Sequence, residues 1–113
     1  MSALHVESTG RGPALLLVHG WAMHGGVFAP LVRALEAAFN VITVDLPGHG
    51  GSRDSALPLA LDPVADALAA LIDAQSSKHA LVVGWSLGGL IATALAARHP
   101  DRVRGLAMVA ASP

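Results

Sequence analysis

The stretch "HALVVGWSLGGLIATALAARHP", residues 79–100, decides the fold class, because an apolar segment runs directly into an alanine-rich one. The short apolar run Ala80–Val83 is typical of a strand that is covered on both faces. The longer segment Leu87–Arg98 predicts a helix. Ser86, the single serine of the stretch, lies where the strand meets the helix. It is either a turn residue or a nucleophile.

Residues Gly84–Gly88 match G-x-S-x-G, the pattern of a nucleophile elbow. Such a serine needs a strained strand-to-helix turn, and glycines at both ends of the motif leave room for that turn. The helix that follows directs the positive end of its dipole at the reaction site. We therefore predict that Ser86 is the catalytic nucleophile, with Gly84 and Gly88 as the elbow glycines. The alternative is a turn serine flanked by tightly packed glycines.

A serine that attacks a carbonyl also needs N–H donors for the oxyanion that forms. One donor is expected from the residue after the serine, here Leu87. The other is expected from a loop that follows an earlier strand. The run Ala14–Val18 is such a strand, and "HGWAMHGG" follows it, which offers the N–H of Trp21 beside the flexible Gly20. The alternative is that Gly20 only turns the chain and Trp21 only packs.

Strand-like and helix-like segments alternate along the 113 residues, a length typical of one domain. Strands are predicted at Leu4–Ser8, Ala14–Val18, Val41–Val44, Ala80–Val83 and Val103–Ala110. A helix is predicted over 28–39, and its apolar face consists of Phe28, Leu31, Val32, Leu35 and Phe39. A second helix is predicted over 62–75, with Asp62 as N-cap and Pro63 in the first helical position. A third is predicted over Leu87–Arg98. This order predicts an α/β fold, a mainly parallel sheet with helices on both faces.

Composition argues against several classes of function. Net charge is −1 and there is no cysteine, so we expect neither a nucleic-acid surface nor a disulfide or thiolate site. The apolar runs are too short to span a bilayer. The histidines form no pattern typical of a metal site. The segment "PGHGGSR" lacks the last glycine of a dinucleotide-binding fingerprint. We expect no metal, no cofactor and no membrane partner, and a cytoplasmic location. His5, His79 and His99 are interpreted as ordinary surface or helix-end residues, and Asp45 as the organiser of the loop that begins at Leu46.

The elbow scheme requires an acidic residue and then a histidine after the serine. After Ser86 the sequence offers only His99 and Asp101, in the wrong order. A helix over 87–98 would also leave His99 roughly 15–20 Å from the serine. Three histidines before the serine are expected on loops near the same rim of the sheet, and a dyad with one of them is an alternative: His19, His24 and His49. The triad is therefore incomplete in these residues.

Four segments resemble the α/β-hydrolase fold superfamily: "LLLVHGW" (15–21), "VDLPGHGGS" (44–52), "GWSLGGL" (84–90) and "HPDRVRGLAMVAASP" (99–113). They are most similar to the carboxylesterases of biotin synthesis that act on pimeloyl-acyl-carrier protein methyl ester, and Trp21, Trp85 and Leu87 favour these over their relatives. The resemblance implies that Ser86 is the nucleophile, that Trp21 and Leu87 hold the oxyanion and substrate, and that the substrate is this methyl ester.

Members of that family continue after "VAASP" into a helical lid and further strands that carry the aspartate and the histidine. We therefore expect residues 1–113 to be the N-terminal portion of a single α/β-hydrolase domain. The resemblance does not imply that these residues alone catalyse ester hydrolysis. Only 13% of the residues are charged, and this low share is typical of a segment that forms part of a larger hydrophobic core. The exposed edge of the last strand is then available for self-association. Alternatives are a thioesterase, C–C hydrolase or peptidase of the same superfamily, or a non-catalytic interaction module.

Overall fold

The computed structural model describes residues 4–75 and 78–109. In this part of the chain five strands and three α-helices alternate. The strands are β1 Val6–Thr9, β2 Ala14–Val18, β3 Asn40–Val44, β4 Ala80–Trp85 and β5 Val103–Val109. The α-helices are α1 Ala29–Leu35, α2 Leu61–Ala74 and α3 Leu87–Arg98, and short 3-10 turns lie at Gly25–Phe28, Gly50–Ser52 and Pro100–Arg102. No helix of the described residues is long and apolar enough to cross a membrane.

The strands form one sheet in the order β1-β3-β2-β4-β5. Pairs β3–β2, β2–β4 and β4–β5 are parallel, whereas β1 runs antiparallel to β3 with Val6 opposite Val44. The predicted α/β fold with a mainly parallel sheet is thus confirmed. Because the carboxyl ends of β2, β3 and β4 meet at one rim, the loops that follow these strands are brought together there.

Helices cover both faces of the sheet, as predicted. All five residues of the central strand β2 are buried, which explains its continuous apolar run. Leu16 and Val18 pack in the core beneath α2 and α3. Leu15 and Leu17 point to the opposite face and pack with Phe28 beside α1. The two cores lie on opposite faces because successive strand side chains alternate.

The first helix is shorter than predicted. α1 covers only Ala29–Leu35, and a 3-10 turn at Gly25–Phe28 precedes it. The N–H groups of Ala38 and Phe39 both donate to the Leu35 carbonyl, which ends the helix so that the chain can turn into β3. The prediction that Leu31 belongs to the apolar face was wrong, since its exposure is 38%.

The predicted start of the second helix was also wrong. α2 begins at Leu61 with Ala60 as its N-cap, so Asp62 is not the cap. The N–H groups of a first helical turn have no intrahelical acceptor, so Pro63 is tolerated in the third position as well as in the first. Asp62 instead lies within the first turn, where its charge complements the helix dipole and reaches Arg98 at 3.4 Å.

β2 and the start of β5 match the prediction, whereas the boundaries of β1, β3 and β4 differ from it by one or two residues. β4 extends to Trp85, directly before the serine, and β1 covers Val6–Thr9. α3 begins and ends as predicted. β5 is observed from Val103 to Val109, and the predicted last residue, Ala110, lies outside the described residues. Ser86 therefore follows β4 directly, without an intervening loop.

Candidate active site

The turn from β4 into α3 holds Ser86 in a strained conformation. Its φ is 58° and its ψ is −118°, and only one other non-glycine residue of the described chain, Ala22, has a positive φ. Such a conformation costs of order 1–3 kcal/mol and persists only where the surroundings enforce it. The Ser86 N–H donates to the Val109 carbonyl at 2.9 Å, and its side chain is exposed. The hydroxyl therefore stands free at the rim of the sheet.

The glycines on either side of the turn have no space for a side chain. A Cβ on Gly84 would overlap the carbonyl oxygen of Gly88. A Cβ on Gly88 would overlap the carbonyl oxygen of Val18 and lie 2.6 Å from that of His19. The first turn of α3 is thus packed directly on the end of β2, and any side chain here would push the helix away from the sheet.

Gly20, at the start of the loop that follows β2, lies against the serine. A Cβ at Gly20 would be 3.1 Å from the Ser86 Cβ and 3.0 Å from the Trp85 carbonyl oxygen. Two segments that are far apart in the sequence therefore meet at Ser86, and a side chain at Gly20 would require its neighbours to shift by a few tenths of an ångström. Trp21 directly follows this contact in the chain.

Two backbone N–H groups beside Ser86 have no acceptor within the described residues, those of Trp21 and Leu87. Leu87 is the first residue of α3, so its N–H has no partner inside the helix. The Gly20 carbonyl accepts from His19 Nδ1 at 2.7 Å and from the Met23 N–H at 3.2 Å. Because a trans peptide points its N–H away from its carbonyl, the Trp21 N–H faces the other way. Neither donor is used by an acceptor in residues 4–75 or 78–109, so both can be considered as donors to an anion.

The buried ring of His19 has no nitrogen available for the serine. Its Nε2 accepts the N–H of Leu46 at 2.9 Å, so its Nδ1 carries the proton and donates to the Gly20 carbonyl. Burial lowers the pKa of His19 below its ordinary value, which favours this neutral form. His19 therefore ties the loop after β2 to the loop after β3.

The other two histidines of the rim also bind the backbone. His24 Nδ1 accepts the Gly26 N–H at 3.0 Å. His49 Nε2 accepts the Ala22 N–H at 2.9 Å, and its Nδ1 donates to the Pro47 carbonyl at 2.9 Å. Among residues 4–75 and 78–109, no histidine is hydrogen-bonded to the Ser86 hydroxyl. The sequence placed these rings at the rim but indicated no structural task for them.

Asp45 organises the loop after β3, as predicted. Its buried carboxylate accepts the Gly25 N–H at 2.6 Å through Oδ1 and the Gly51 N–H at 2.8 Å through Oδ2. The Ser52 hydroxyl donates to the Asp45 carbonyl.

At the far end of α3, His99 contacts Asp66 at 2.6 Å, which agrees with a helix-end role. Arg98 also donates to Asp66 and, with His99, holds the pKa of that carboxyl near about 2.

An apolar cavity of about 310 Å³ opens beside the elbow. Its lining combines the candidate oxyanion residue Trp21, the residues that lead into α2 and two residues of α3: Trp21, Leu59, Ala60, Leu61, Leu87 and Ile91. The Trp21 side chain is 66% exposed at its mouth. Sequence reasoning did not find the contribution of 59–61, because only the tertiary fold brings the start of α2 to the elbow.

Residues 13–113 match the protein family that is described as alpha/beta hydrolase fold. The chain belongs to the α/β-hydrolase fold family. The resemblance carried by the four sequence segments is therefore confirmed. In this α/β-hydrolase chain, the matched region includes the loop after β2, the loop after β3 and the whole elbow.

Named relatives of this α/β-hydrolase chain are esterases. It is 56% identical over 110 residues to the pimeloyl-[acyl-carrier protein] methyl ester esterase of Stenotrophomonas maltophilia strain R551-3, covering 97% of this chain and 40% of the relative. Identity is 54% over 110 residues to the protein of the same name from Xanthomonas campestris pv. campestris strain B100, covering 97% and 41%. The chain thus spans about 40% of the length of the curated relatives it matches.

Solved structures of ester- and lactone-cleaving proteins are similar to the α/β-hydrolase chain. An N-acyl homoserine lactonase, AidH, complexed with N-butanoyl homoserine, superposes with a TM-score of 0.85 at 35% identity, covering 93% of this chain and 40% of that one. A marine microorganism esterase superposes with a TM-score of 0.88 at 28% identity, covering 96% and 41%. These likenesses also extend over less than half of the compared chains.

Proposed function

We propose that residues 1–113 contribute the nucleophile and the oxyanion donors of a serine carboxylesterase. The observation that carries the proposal is the strained, exposed Ser86 in a rim where the backbone N–H groups of Trp21 and Leu87 have no acceptor among the described residues. Strained backbone clusters at functional sites, and two backbone donors suit the oxyanion of acyl transfer. Ser86 is the proposed nucleophile, and Trp21 and Leu87 are the proposed donors.

In this mechanism the Ser86 Oγ attacks the ester carbonyl and loses its proton to a general base. The negative charge that develops on the carbonyl oxygen is stabilised by the N–H groups of Trp21 and Leu87. Collapse of the tetrahedral intermediate breaks the bond to the alkoxy group, which leaves as methanol after it takes up the proton. Water then attacks the acyl-enzyme by the same route and restores Ser86.

We place the general base and its acidic partner outside residues 1–113. Within the described residues, His19 and His49 use both ring nitrogens for backbone hydrogen bonds. His99, the one histidine that follows the serine, is bound to Asp66 at the opposite end of α3. The matched relatives are more than twice as long as this chain, which leaves ample length for the two missing groups.

The proposed substrate is the methyl ester of a pimeloyl group on acyl-carrier protein. Relatives at 54–56% identity carry that substrate in their names. The cavity beside Ser86 is lined largely by aliphatic side chains and Trp21, which suits an aliphatic acyl chain better than a charged substrate. Its volume of about 310 Å³ is at the lower end of small-molecule sites. The cytoplasm is the proposed location.

The test is to express the complete reading frame that contains these residues and to treat the protein with a fluorophosphonate probe. We expect mass spectrometry to locate the label on Ser86. Hydrolysis of a short nitrophenyl ester should fall by at least about 10³-fold in Ser86→Ala. Ser8→Ala, which changes an exposed serine on β1, is the matched control and should keep full activity. Near-normal hydrolysis by Ser86→Ala would overturn the proposal.

A second candidate function, a non-catalytic association module, is favoured by the exposed strand β5. It is the last strand in the order of the described sheet, and Leu106, Met108 and Val109 are 40%, 46% and 50% exposed. Unpaired apolar edges promote strand pairing between chains. Sedimentation of the 113-residue chain should then show a dimer that Leu106→Lys weakens, whereas Ala70→Lys on the exposed side of α2 does not. A monomer at all concentrations would exclude this candidate.

A further inference from the structure

The loop between β2 and the first 3-10 turn contains a second strained residue, Ala22, with a φ of 64°. Residues with a Cβ rarely adopt this left-handed conformation, which glycine adopts freely. Ala22 directly follows Trp21, the proposed oxyanion donor. The loop that carries the Trp21 N–H therefore includes a backbone conformation that alanine does not favour by itself.

One side chain holds this strained residue in place. His49 Nε2 accepts the Ala22 N–H at 2.9 Å, while His49 Nδ1 donates to the carbonyl of the buried Pro47 at 2.9 Å. The second bond sets both the orientation and the tautomer of the ring, because Nδ1 must carry the proton for Nε2 to accept. The same ring meets the Trp21 indole edge-on, with ring centroids 5.4 Å apart at 79°.

The peptide on the other side of Trp21 is held by a different histidine. His19 Nδ1 donates to the Gly20 carbonyl at 2.7 Å, and the His19 ring lies 5.2 Å from that of His49. The carbonyl before Trp21 and the N–H after it are thus both bound, and only the Trp21 N–H between them is left without an acceptor in the described chain. The Met23 N–H donates to the same Gly20 carbonyl at 3.2 Å and closes the turn around Ala22, and His49 is the side chain that binds the Ala22 N–H itself.

We propose that His49 is a positioning residue that holds Ala22 in its left-handed conformation and so directs the Trp21 N–H at the oxyanion formed at Ser86. This inference rests on the proposed function. Positions 22 and 49 should therefore be coupled. The histidine acceptor is needed because position 22 is an alanine, so a glycine at position 22 should reduce that need.

Three substitutions separate the hydrogen bond from the packing of the ring. His49→Phe keeps an aromatic ring beside Trp21 but has no acceptor. His49→Gln retains an acceptor at the distance of Nε2 but loses the ring. Ala22→Gly removes the strain and keeps the backbone N–H, and the double variant Ala22→Gly/His49→Phe tests the coupling.

The first readout is the backbone amide spectrum of the 113-residue chain, which needs no catalysis. In His49→Phe we expect the Ala22 amide to exchange with solvent at least about tenfold faster and the Trp21 amide resonance to shift. His49→Gln should restore both signals, and the double variant should return the Trp21 amide close to its original position. An unchanged Trp21 amide in His49→Phe would overturn the proposal, as would an equal effect with glycine at position 22.

The second readout is hydrolysis of a nitrophenyl ester by the complete protein. We expect His49→Phe to lower kcat about ten- to hundredfold with KM changed less than about twofold, because a misdirected donor affects the transition state. His49→Gln should recover most of the loss, and the Ala22→Gly background should reduce it. A shifted amide with unchanged kcat would also overturn the proposal. If the unmodified protein hydrolyses no ester, the proposed function fails, while the amide spectra still decide whether His49 holds the loop.

Discussion

The rim at the carboxyl ends of the strands, residues 19–25, 45–52 and 84–88, contrasts sharply with the edge strand β5. At the rim the buried polar side chains, His19, Asp45 and Ser52, are all hydrogen-bonded to backbone groups. In β5, the apolar side chains of Leu106, Met108 and Val109 stay 40–50% exposed.

This difference shows which parts of the site depend on contacts within these residues. The elbow and the loop after β2 are held by close backbone contacts and by histidines and an aspartate of the same chain. Within the described residues, β5 contacts β4, α3 and the 3-10 turn Pro100–Arg102, and it is the last strand in the sheet order. The contacts described for the proposed nucleophile and oxyanion loop thus lie at the rim, and one of them, from the Ser86 N–H to the Val109 carbonyl, involves the end of β5.

The sharpest contrast is the same substitution in both regions. Gly88→Ala should lower the free energy of unfolding by more than about 3 kcal/mol, because its Cβ would overlap the backbone carbonyl of Val18. Gly105→Ala in β5 meets only the flexible end of Leu81 at 3.0 Å and should cost less than about 1 kcal/mol. Urea denaturation measures both values. Similar losses would remove the distinction between a tight rim and an open edge.

Two valines near strand ends test the same contrast through apolar burial. Val18 is 0% exposed and Val109 is 50% exposed. We expect Val18→Ala to cost about 2 kcal/mol, from lost burial and a small cavity. Val109→Ala should stay within about 0.5 kcal/mol of the original chain. A loss at Val109 as large as at Val18 would show that β5 is covered in solution, for example by a second copy.

The strain at the elbow should be measurable as lost stability. Glycine adopts the Ser86 conformation, φ 58° and ψ −118°, more readily than any residue with a Cβ. Ser86→Gly should therefore be more stable than Ser86→Ala by about 1 kcal/mol, after allowance for the greater freedom of glycine in the unfolded chain. Chemical denaturation of the two variants checks this value. A Gly variant that is less stable than the Ala variant would argue against a strained turn.

The smallest expected effect is a pH dependence of the rim. Burial lowers the pKa of His19 below its ordinary value of 6.5, so the folded chain binds this proton less readily than the unfolded chain. The contribution of neutral His19 to stability is present above pH 6.5 and is lost as the pH falls through the lower pKa of the folded state.

The urea midpoint should therefore fall between about pH 7.5 and about pH 5.5, and it should fall less in His19→Gln, where the titrating ring is absent. The comparison of the two chains cancels the contributions of the other histidines. Equal falls in both would contradict a buried neutral His19 at the rim.

Regular parts of the fold could be read from the sequence because their signals are local. α3 begins and ends as predicted, since an apolar strand, a G-x-S-x-G turn and an uninterrupted helix-forming segment agree with one another. The start of α2 was placed too late, because a proline suits more than one position of a first helical turn. α1 was drawn too long, since periodicity does not reveal where the chain must turn into the next strand.

The candidate site divides in the same way. Ser86, Leu87 and the glycines of the elbow are neighbours in the sequence, so a motif suffices to name them. The acceptor for the Ala22 N–H is a side chain 27 positions away, and the cavity joins Trp21 to the start of α2. Such contacts depend on the register of the parallel strands, which sequence spacing does not specify.

By itself, the sequence determined the alternation of strands and helices and the elbow motif, and its resemblance to known proteins indicated the α/β-hydrolase family. The physical reason is that hydrophobic periodicity and glycine requirements act over a few neighbouring residues. Only the tertiary structure decided that His19 and His49 hold the loop of Trp21 rather than activate Ser86. Which group a histidine nitrogen meets is set by the packing of three strand ends at one rim, and that packing arises only when the whole sheet is assembled.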